Sequence, residues 1–557
     1  MRRDLGILGR QVRHELAALW RSPIVLVLAV AFPLFFFVLV AAVVGNETID
    51  ERSGIRVAQF MAPAFASLGV VMSCFSFLAT GFAEARKDGV LKRQNGTPLP
   101  RWALLGGRMG AALLLGLTAT LLIVGVGVVG YDVQVVGRTL ASVVLTLVVA
   151  SLAFAALGLA VAVLAPTPQA TQAVTNGIVF PIAFVSDIFA IGGDVPRWMS
   201  TLGWVFPLKH LVNALGDAFN PFLPGTGFAL DHLGVIAAWG LAGAVVAVVS
   251  LRREREVAPR GAEQGRRVRA ADTAPRRTAR PGAPALLRDQ VAHTTTALRR
   301  DVSSVFFAVA FPVILVVVVP AMNGGRDATL TDGRRLTAFF AATMATYGAA
   351  VTSYVNMPEL VARWRGLGVL KREHATPLPK AALLVGHAAG AVWVSFLTLV
   401  AVYLVAWVLF GVGMPVRWWA VLLSFLLASA CFAALGLALA SLIRTAQGVT
   451  GVALGTLLPL AFLSDIFLVG ADLPQVIDRI SWLFPLRHAT RAMTLAAAPP
   501  DFAGSGLQVG HLAVILAWTV AAVAVVAWRF GWEVSEPRRA TSTGADAPGP
   551  ALADVAR

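Results

Sequence analysis

The sequence predicts an all-α polytopic membrane protein of about twelve transmembrane helices, and three observations predict it. Of its 557 residues, 57% are hydrophobic and only 14% charged, which excludes a water-soluble globular enzyme. The apolar residues fall in runs of about twenty, the length at which a helix rising about 1.5 Å per residue crosses roughly 30 Å of hydrocarbon. Finally, the second half repeats the first at an offset of 278 or 279 residues, so whatever architecture one half adopts the other shares.

In chain order, the segment ILGRQVRHELAALWRSP at 7–23 places Ile7, Leu8, Val12, Leu16, Leu19 and Trp20 at three- to four-residue intervals between arginines. That is the pattern of an amphipathic helix lying flat on the inner leaflet, serving as an anchor or as a relay of motion. Five arginines before the first apolar run do not match a cleaved targeting sequence, so this start is expected to be retained. Spans are predicted at 24–44, 57–83, 102–129, 139–165, 170–193 and 232–250, completing a first half over 1–250. Residues 251–285 read as an Arg/Pro-rich linker, in which Pro259, Pro275, Pro281 and Pro284 interrupt any long helix. No aromatic residues are interleaved for base stacking, so nucleic acid is not an expected partner; anionic lipid suits the charge better. The second half, 286–530, opens on another basic segment, LLRDQVAHTTTALRRD at 286–301. Spans follow at 303–322, 336–358, 381–410, 418–443, 447–470 and 511–529. Residues 531–557, rich in Ala, Pro, Ser and Thr, are expected to be a disordered tail.

An even number of spans puts both termini on one side. The formal net charge of +16 concentrates in the N-terminus, the second-to-third connections and the linker, while the connections on the other side balance. Positive segments stay cytoplasmic, so both termini are expected inside the cell. Local repeats are close: GVLKRQNGTPLP at 89–100 returns as GVLKREHATPLP at 368–379, and FAALGLAVA at 154–162 as FAALGLALA at 432–440. SDIF at 186–189 returns at 464–467, WVFPLKH at 204–210 as WLFPLRH at 482–488, and HLGVIAAW at 232–239 as HLAVILAW at 511–518. Because each copy holds six spans, the two share one orientation about a pseudo-twofold axis along the membrane normal, and a path between the halves is expected. Phe32-Pro33 and Phe311-Pro312 predict a break in each first span, since proline removes a helical hydrogen bond.

The second-to-third connection, GFAEARKDGVLKRQNGTPLPRW at 81–102, predicts a short helix parallel to the membrane that presents Lys92 and Arg93 to the cytoplasm. A topology signal requires only positive charge, whereas two copies of one twelve-residue pattern ask for a shape. Asp187 and Asp465 fall at the outer ends of the fifth spans, where they either cap a short outer helix or form a polar outer gate. Lys209 with His210, and Arg487 with His488, either snorkel at the outer interface or face the exit of the path. His387 starts a span alone and reads as a packing residue; no HExxH motif accompanies it. Cys74 and Cys431 sit inside apolar runs, which supports neither a disulfide framework nor a metal site. No GxxxxGK[ST] phosphate loop occurs, so nucleotide chemistry would have to come from another chain.

In their order, the basic amphipathic start, the six spans, the charged loop ending in Thr-Pro-Leu and the Phe-Pro-Leu-x-His before the sixth span resemble the permeases of bacterial ABC exporters. The branch they resemble most is that of daunorubicin- and tetronasin-type antibiotic exporters, over about residues 7–250 and again 286–530. The resemblance implies that the loop after each second span is a coupling helix docking into a cytoplasmic ATPase. Carried over, its residues are Glu84, Gly89, Leu91, Lys92, Arg93, Thr97, Pro98 and Leu99, then Gly368, Leu370, Lys371, Arg372, Thr376, Pro377 and Leu378. Glu84 faces Arg363 in the second copy, Asp88 faces Leu367, and Glu359 lies earlier, so the second docking site is either electrostatically different or its acid has slid along a helix. The resemblance further implies a bacterial inner-membrane permease, two copies of a separate ABC-type ATPase bringing ATP and Mg, no cofactor in this chain, and a hydrophobic or amphipathic, drug-like cargo moved outward. If phenylalanines line the path, they favour that cargo over a sugar polymer. An ion-coupled carrier with two six-span halves is the alternative, although the spans offer almost no buried ionisable residues for coupling. An intramembrane enzyme would need convergent acid, base or nucleophile groups. A non-transporting sensor subunit also fits the sequence.

Overall fold

A computed structural model of the chain describes residues 2–21, 25, 27–49, 54–97, 99–188, 196–257, 283–375, 379–467, 475–499, 501 and 506–530. The whole tail, 531–557, and the middle of the linker therefore lie outside the described residues. Each of the twelve predicted spans contains a helix, and nine of the helices described are long and apolar enough to cross a membrane. The other three positions are Phe32–Val44, Pro168–Val185 and the helix over 336–366. The last two are less apolar because Gln169, Gln172, Asn176, Asn356 and Glu359 face an internal cavity rather than lipid. Several boundaries differ from expectation: the fifth spans end early, at Val185 and Leu463, and the second span of the second half runs on to Gly366. The sixth span runs on to Val257, because nothing in its Arg/Glu-rich end stops a helix before Pro259, and the second amphipathic helix already begins at Ala283.

The predicted break at Phe-Pro takes the form of a π-helical turn, Val27–Ala31 before Phe32 and Phe306–Ala310 before Phe311. A second pair of π turns interrupts the second spans, at Met72–Phe77 and Val351–Asn356. The repeated FAALG of the fourth spans packs onto these turns. A Cβ at Gly158 would lie 2.6 Å from the Phe75 carbonyl oxygen, and one at Gly436 would collide with the Ser353 carbonyl. Only glycine permits so close a backbone approach.

Repeated Ser-Asp-Ile ends the fifth spans in a Schellman motif. Asp187 and Asp465 adopt left-handed φ of 63° and 58°, and the Ile188 and Ile466 amides reach back to the Ala183 and Ala461 carbonyls at 3.3 and 3.1 Å. Both isoleucines are fully buried. These aspartates thus close a helix C-terminus, and the expectation that they cap the N-terminus of an outer helix is corrected. The same spans start on Thr167 and Thr445, whose hydroxyls accept from the amides of Ala170 and Gly448, both at 3.1 Å.

The halves meet through the fifth span of one and the first span of the other, in both senses. The Phe36 and Phe462 rings lie 4.0 Å apart between centroids, and Phe180 meets Phe311 at 5.1 Å. Replacing Gly158 or Gly436 by valine is expected to cost about 1–3 kcal/mol through overpacking. The control is Gly125→Val, whose Cβ would meet nothing within 4 Å; thermal unfolding of the purified chain should show a lower midpoint for the first two and no change for the third.

Candidate translocation path and coupling loops

Each second-to-third connection is built on one glycine. Gly89 and Gly368 take φ of 69° and 70°, which lets the chain turn from the second span into a six-residue helix, Val90–Asn95 and Val369–His374. On these helices Lys92, Arg93, Lys371 and Arg372 are exposed, Leu370 is buried and Leu91 half-buried. Thr97 donates its hydroxyl hydrogen to the Gln94 carbonyl at 2.6 Å, closing the first loop, and Leu99 is half-buried beyond it. Pro98, Thr376, Pro377 and Leu378 lie outside the described residues. Glu373, where the first copy has Gln94, has its carboxyl pushed up by burial.

Two arginines that the motif reading missed hold these loops in place. Arg86 donates to the carbonyls of Val163 and Ala165, at 3.2 and 2.6 Å, and Arg365 donates to that of Ala440. Each therefore caps the orphan carbonyls ending a fourth span with a charge-assisted bond. The signal was available: both arginines recur at the repeat offset between neighbours that do not.

Both amphipathic helices are seated on third spans by glycines. A Cβ at Gly110 would lie 2.8 Å from Val12, and one at Gly390 2.8 Å from Thr294. At equivalent positions the seat is tied differently. Arg108 bonds Glu15 at 3.3 Å in the first half, whereas His387 shares a 2.8 Å hydrogen bond with Thr294 in the second. His387, fully buried, is thus a satisfied packing residue. A small cleft bounded by Ile7, Arg10, Gln11, Thr97, Leu99 and Pro100 puts the first helix directly beside its loop.

On the opposite face, the repeated Trp-x-Phe-Pro-Leu-[Lys/Arg]-His builds a short helix, Pro207–Phe219 or Pro485–Ala497, started by its proline. Lys209 is 2% exposed, bonds Asp187 at 2.9 Å and Ser200 at 3.0 Å, and lies over the Trp204 ring. Arg487, 4% exposed, bonds Asp478 at 2.6 Å, while Asp465 is taken by Arg491 at 2.9 Å. The expected snorkelling is corrected: these cations are buried because each finds a carboxylate inside the protein. His210 Nε2 donates to the Trp204 carbonyl at 2.9 Å, so its Nδ1 accepts from Nδ1 of His232, also at 2.9 Å. His488, Trp482 and His511 reproduce this at 2.7 and 3.0 Å. His232 and His511 open the repeated HL-x-VI-x-AW, which carried the signal although neither was singled out.

Between the halves runs a cavity of about 1190 Å³. Its middle is walled by Phe32, Phe36, Phe65, Phe180, Phe307, Phe311, Phe462, Phe467 and Tyr347, and it reaches Thr329 and Thr331 in the far-face loop of the second half. At the coupling-loop end its rim is charged. There Arg363 bonds both Asp301, at 3.0 Å, and Glu359, at 2.9 Å, while Glu84 and Asp88 of the first half line the same mouth. Glu84 is thus a mouth residue as well as a neighbour of the coupling helix.

A polytopic helical protein whose two like halves enclose an aromatic passage is a membrane transport protein. The chain matches the ABC-2 type transporter family over residues 10–219 and again over 291–496, and it belongs to that family. It is an ABC transporter permease in tandem form. It is 21% identical over 206 residues to the inner membrane transport permease YadH of Escherichia coli strain K12, covering 37% of this chain and 78% of that one. To the daunorubicin resistance ABC transporter permease protein DrrB1 of Streptomyces coeruleorubidus it is 28% identical over 218 residues, 36% of this chain and 74% of that one.

Arg86→Gln and Arg365→Gln should each lose about 1–3 kcal/mol of stability, the range for leaving buried polar partners unsatisfied. Hydrogen exchange should quicken in the adjoining loop of the mutated half alone; equal exchange in both loops would show that the arginines do not hold them.

Proposed function

We propose that the chain is the membrane subunit of an ATP-driven exporter of hydrophobic or amphipathic, drug-like compounds, powered by two copies of a separate ABC-type ATPase that supplies the ATP and Mg chemistry. The observation that carries this reading is the aromatic-walled cavity between the halves, whose charged mouth lies at the ends of the same second spans that lead into the two coupling loops. A force applied at either loop reaches the cavity wall through one continuous helix. The excess of basic residues on the loop side supports a cytoplasmic position for that face and for both termini in a bacterial cell. The name of the DrrB1 relative supports antibiotic export, and the phenylalanine lining supports an apolar cargo.

In this reading Lys92, Arg93, Lys371 and Arg372 face the ATPase, with Leu91 and Leu370 packing the helices against the permease. The aspartates and basic residues of the far face, Asp187, Lys209, His210, Asp465, Arg487 and His488, form closed polar clusters that hold the outer end of the passage together. A carrier driven by an ion gradient would transport without the ATPase.

Charge reversal in one loop, Lys92→Glu with Arg93→Glu, is expected to reduce recovery of the co-expressed ATPase on the purified permease by about tenfold, which corresponds to about 1.4 kcal/mol of docking energy. Reversal of both loops should abolish it. Unchanged recovery of the ATPase, or transport in liposomes driven by a proton gradient alone, would sink the proposal.

A further inference from the structure

The chain as a whole is strongly basic, at +16, yet the mouth of its central cavity is acidic. In the second half, Asp301 and Glu359 are spent on Arg363. In the first half, Glu15 is spent on Arg108. That leaves Glu84 and Asp88 without an ion pair among the described residues, with Lys87 as the one unpaired base on the same rim. All three are exposed. The excess sits on one side only, because the positions equivalent to Glu84 and Asp88 are Arg363 and Leu367. Phe77 on the first half and Phe307 on the second stand between this rim and the aromatic walls farther in, where Phe36 and Phe65 meet Phe311 and Phe462 across the cavity. Carboxylates favour a cation, and so do ring faces, whose quadrupoles attract positive charge most strongly where water is displaced. The same two features disfavour an anion.

We propose that the cavity takes cationic amphiphiles, compounds carrying a fixed positive charge on an apolar body, and that Glu84 and Asp88 are the residues that select the charge. This deepens the export reading and rests on it. A cargo entering from the loop side meets these two carboxylates first and the rings after. The apolar body then occupies the aromatic region, while the charge stays near the first half.

The test uses the full chain in nanodiscs of a neutral phosphatidylcholine, with three probes of similar shape: tetraphenylphosphonium, tetraphenylborate and uncharged triphenylphosphine oxide. Empty nanodiscs give the lipid background. The wild type should bind the phosphonium more tightly than the borate once that background is removed. In Glu84→Gln with Asp88→Asn, phosphonium affinity should fall about three- to tenfold, the range for two partly exposed charge interactions, while binding of the phosphine oxide stays the same. Lys87→Gln should raise phosphonium affinity about two- to threefold by removing the opposing charge, a gain that misfolding cannot produce. Raising the salt concentration should shrink both differences. Equal losses for the charged and uncharged probes, or preference for the borate, would overturn the selection while leaving the cavity as a cargo site. Failure of all three probes to bind would overturn the cavity's role in export as well.

Discussion

The contact on which the rest of the structure depends is the seating of a fourth-span glycine on the π turn of the second span. At Gly158 and Gly436 the two backbones approach to a distance that excludes any side chain. Lower down, Arg86 and Arg365 tie the same two helices together again at the carbonyls ending the fourth span. Two fixed points turn a pair of helices into one lever. One end of that lever is the coupling loop, and its middle is cavity wall, since Met72, Ser73, Ser76 and Phe77 of the π turn line the passage. A π turn carries one extra residue per turn and leaves backbone carbonyls free, so it is a place where a helix can change register without losing every bond. In the second half the π turn before Phe311 also reaches this space, through Phe307, and in the first half Phe32, the residue after the corresponding π turn, lines it.

Much of this was legible in the sequence. Twelve helices follow from apolar run length, and the parallel arrangement of halves follows from six spans per repeat. Gly-Val-Leu-Lys-Arg was readable as a shaped loop because the same twelve-residue pattern stands in both halves, whereas the left-handed turn at Gly89 and Gly368 emerged only from the structure. What could not be read were pairings between distant residues. Arg86 looks like one more positive charge in a basic loop until Val163 and Ala165 are placed beside it. His210 and Lys209 look like interfacial residues, because burial on a far-face helix depends on partners more than twenty residues away. Ser-Asp reads equally well as a helix start or stop, and only the reach of Ile188 back to Ala183 decides for the stop. Hydrophobic periodicity, too, cannot distinguish an α turn from a π turn of five or six apolar residues.

Comparison of the halves separates residues that must keep a tie from residues free to change. The amphipathic helix is bonded to the third span by Arg108 and Glu15 in one half, and by His387 and Thr294 in the other. On the far face Lys209 with Asp187 gives way to Arg487 with Asp478, and Asp465 turns to Arg491. In each case the chemistry differs and the tie persists, because a buried polar group without a partner is costly whichever group it is. These sites are structural fasteners.

Position 84 and its counterpart 363 behave otherwise. There a carboxylate is exchanged for a guanidinium, and the exchange inverts the charge that the group brings to the mouth of the cavity. Arg363 is neutralised locally by Asp301 and Glu359, whereas Glu84 is not neutralised by any ion pair among the described residues. A passage formed by two identical subunits could not do this, since symmetry would present the same group from both sides. Joining the halves in one chain removes that constraint. One side of the mouth can then attract charge while the other stays neutral, so a cargo with a single charged end would enter in one orientation, with its apolar end free to meet the rings ahead of it.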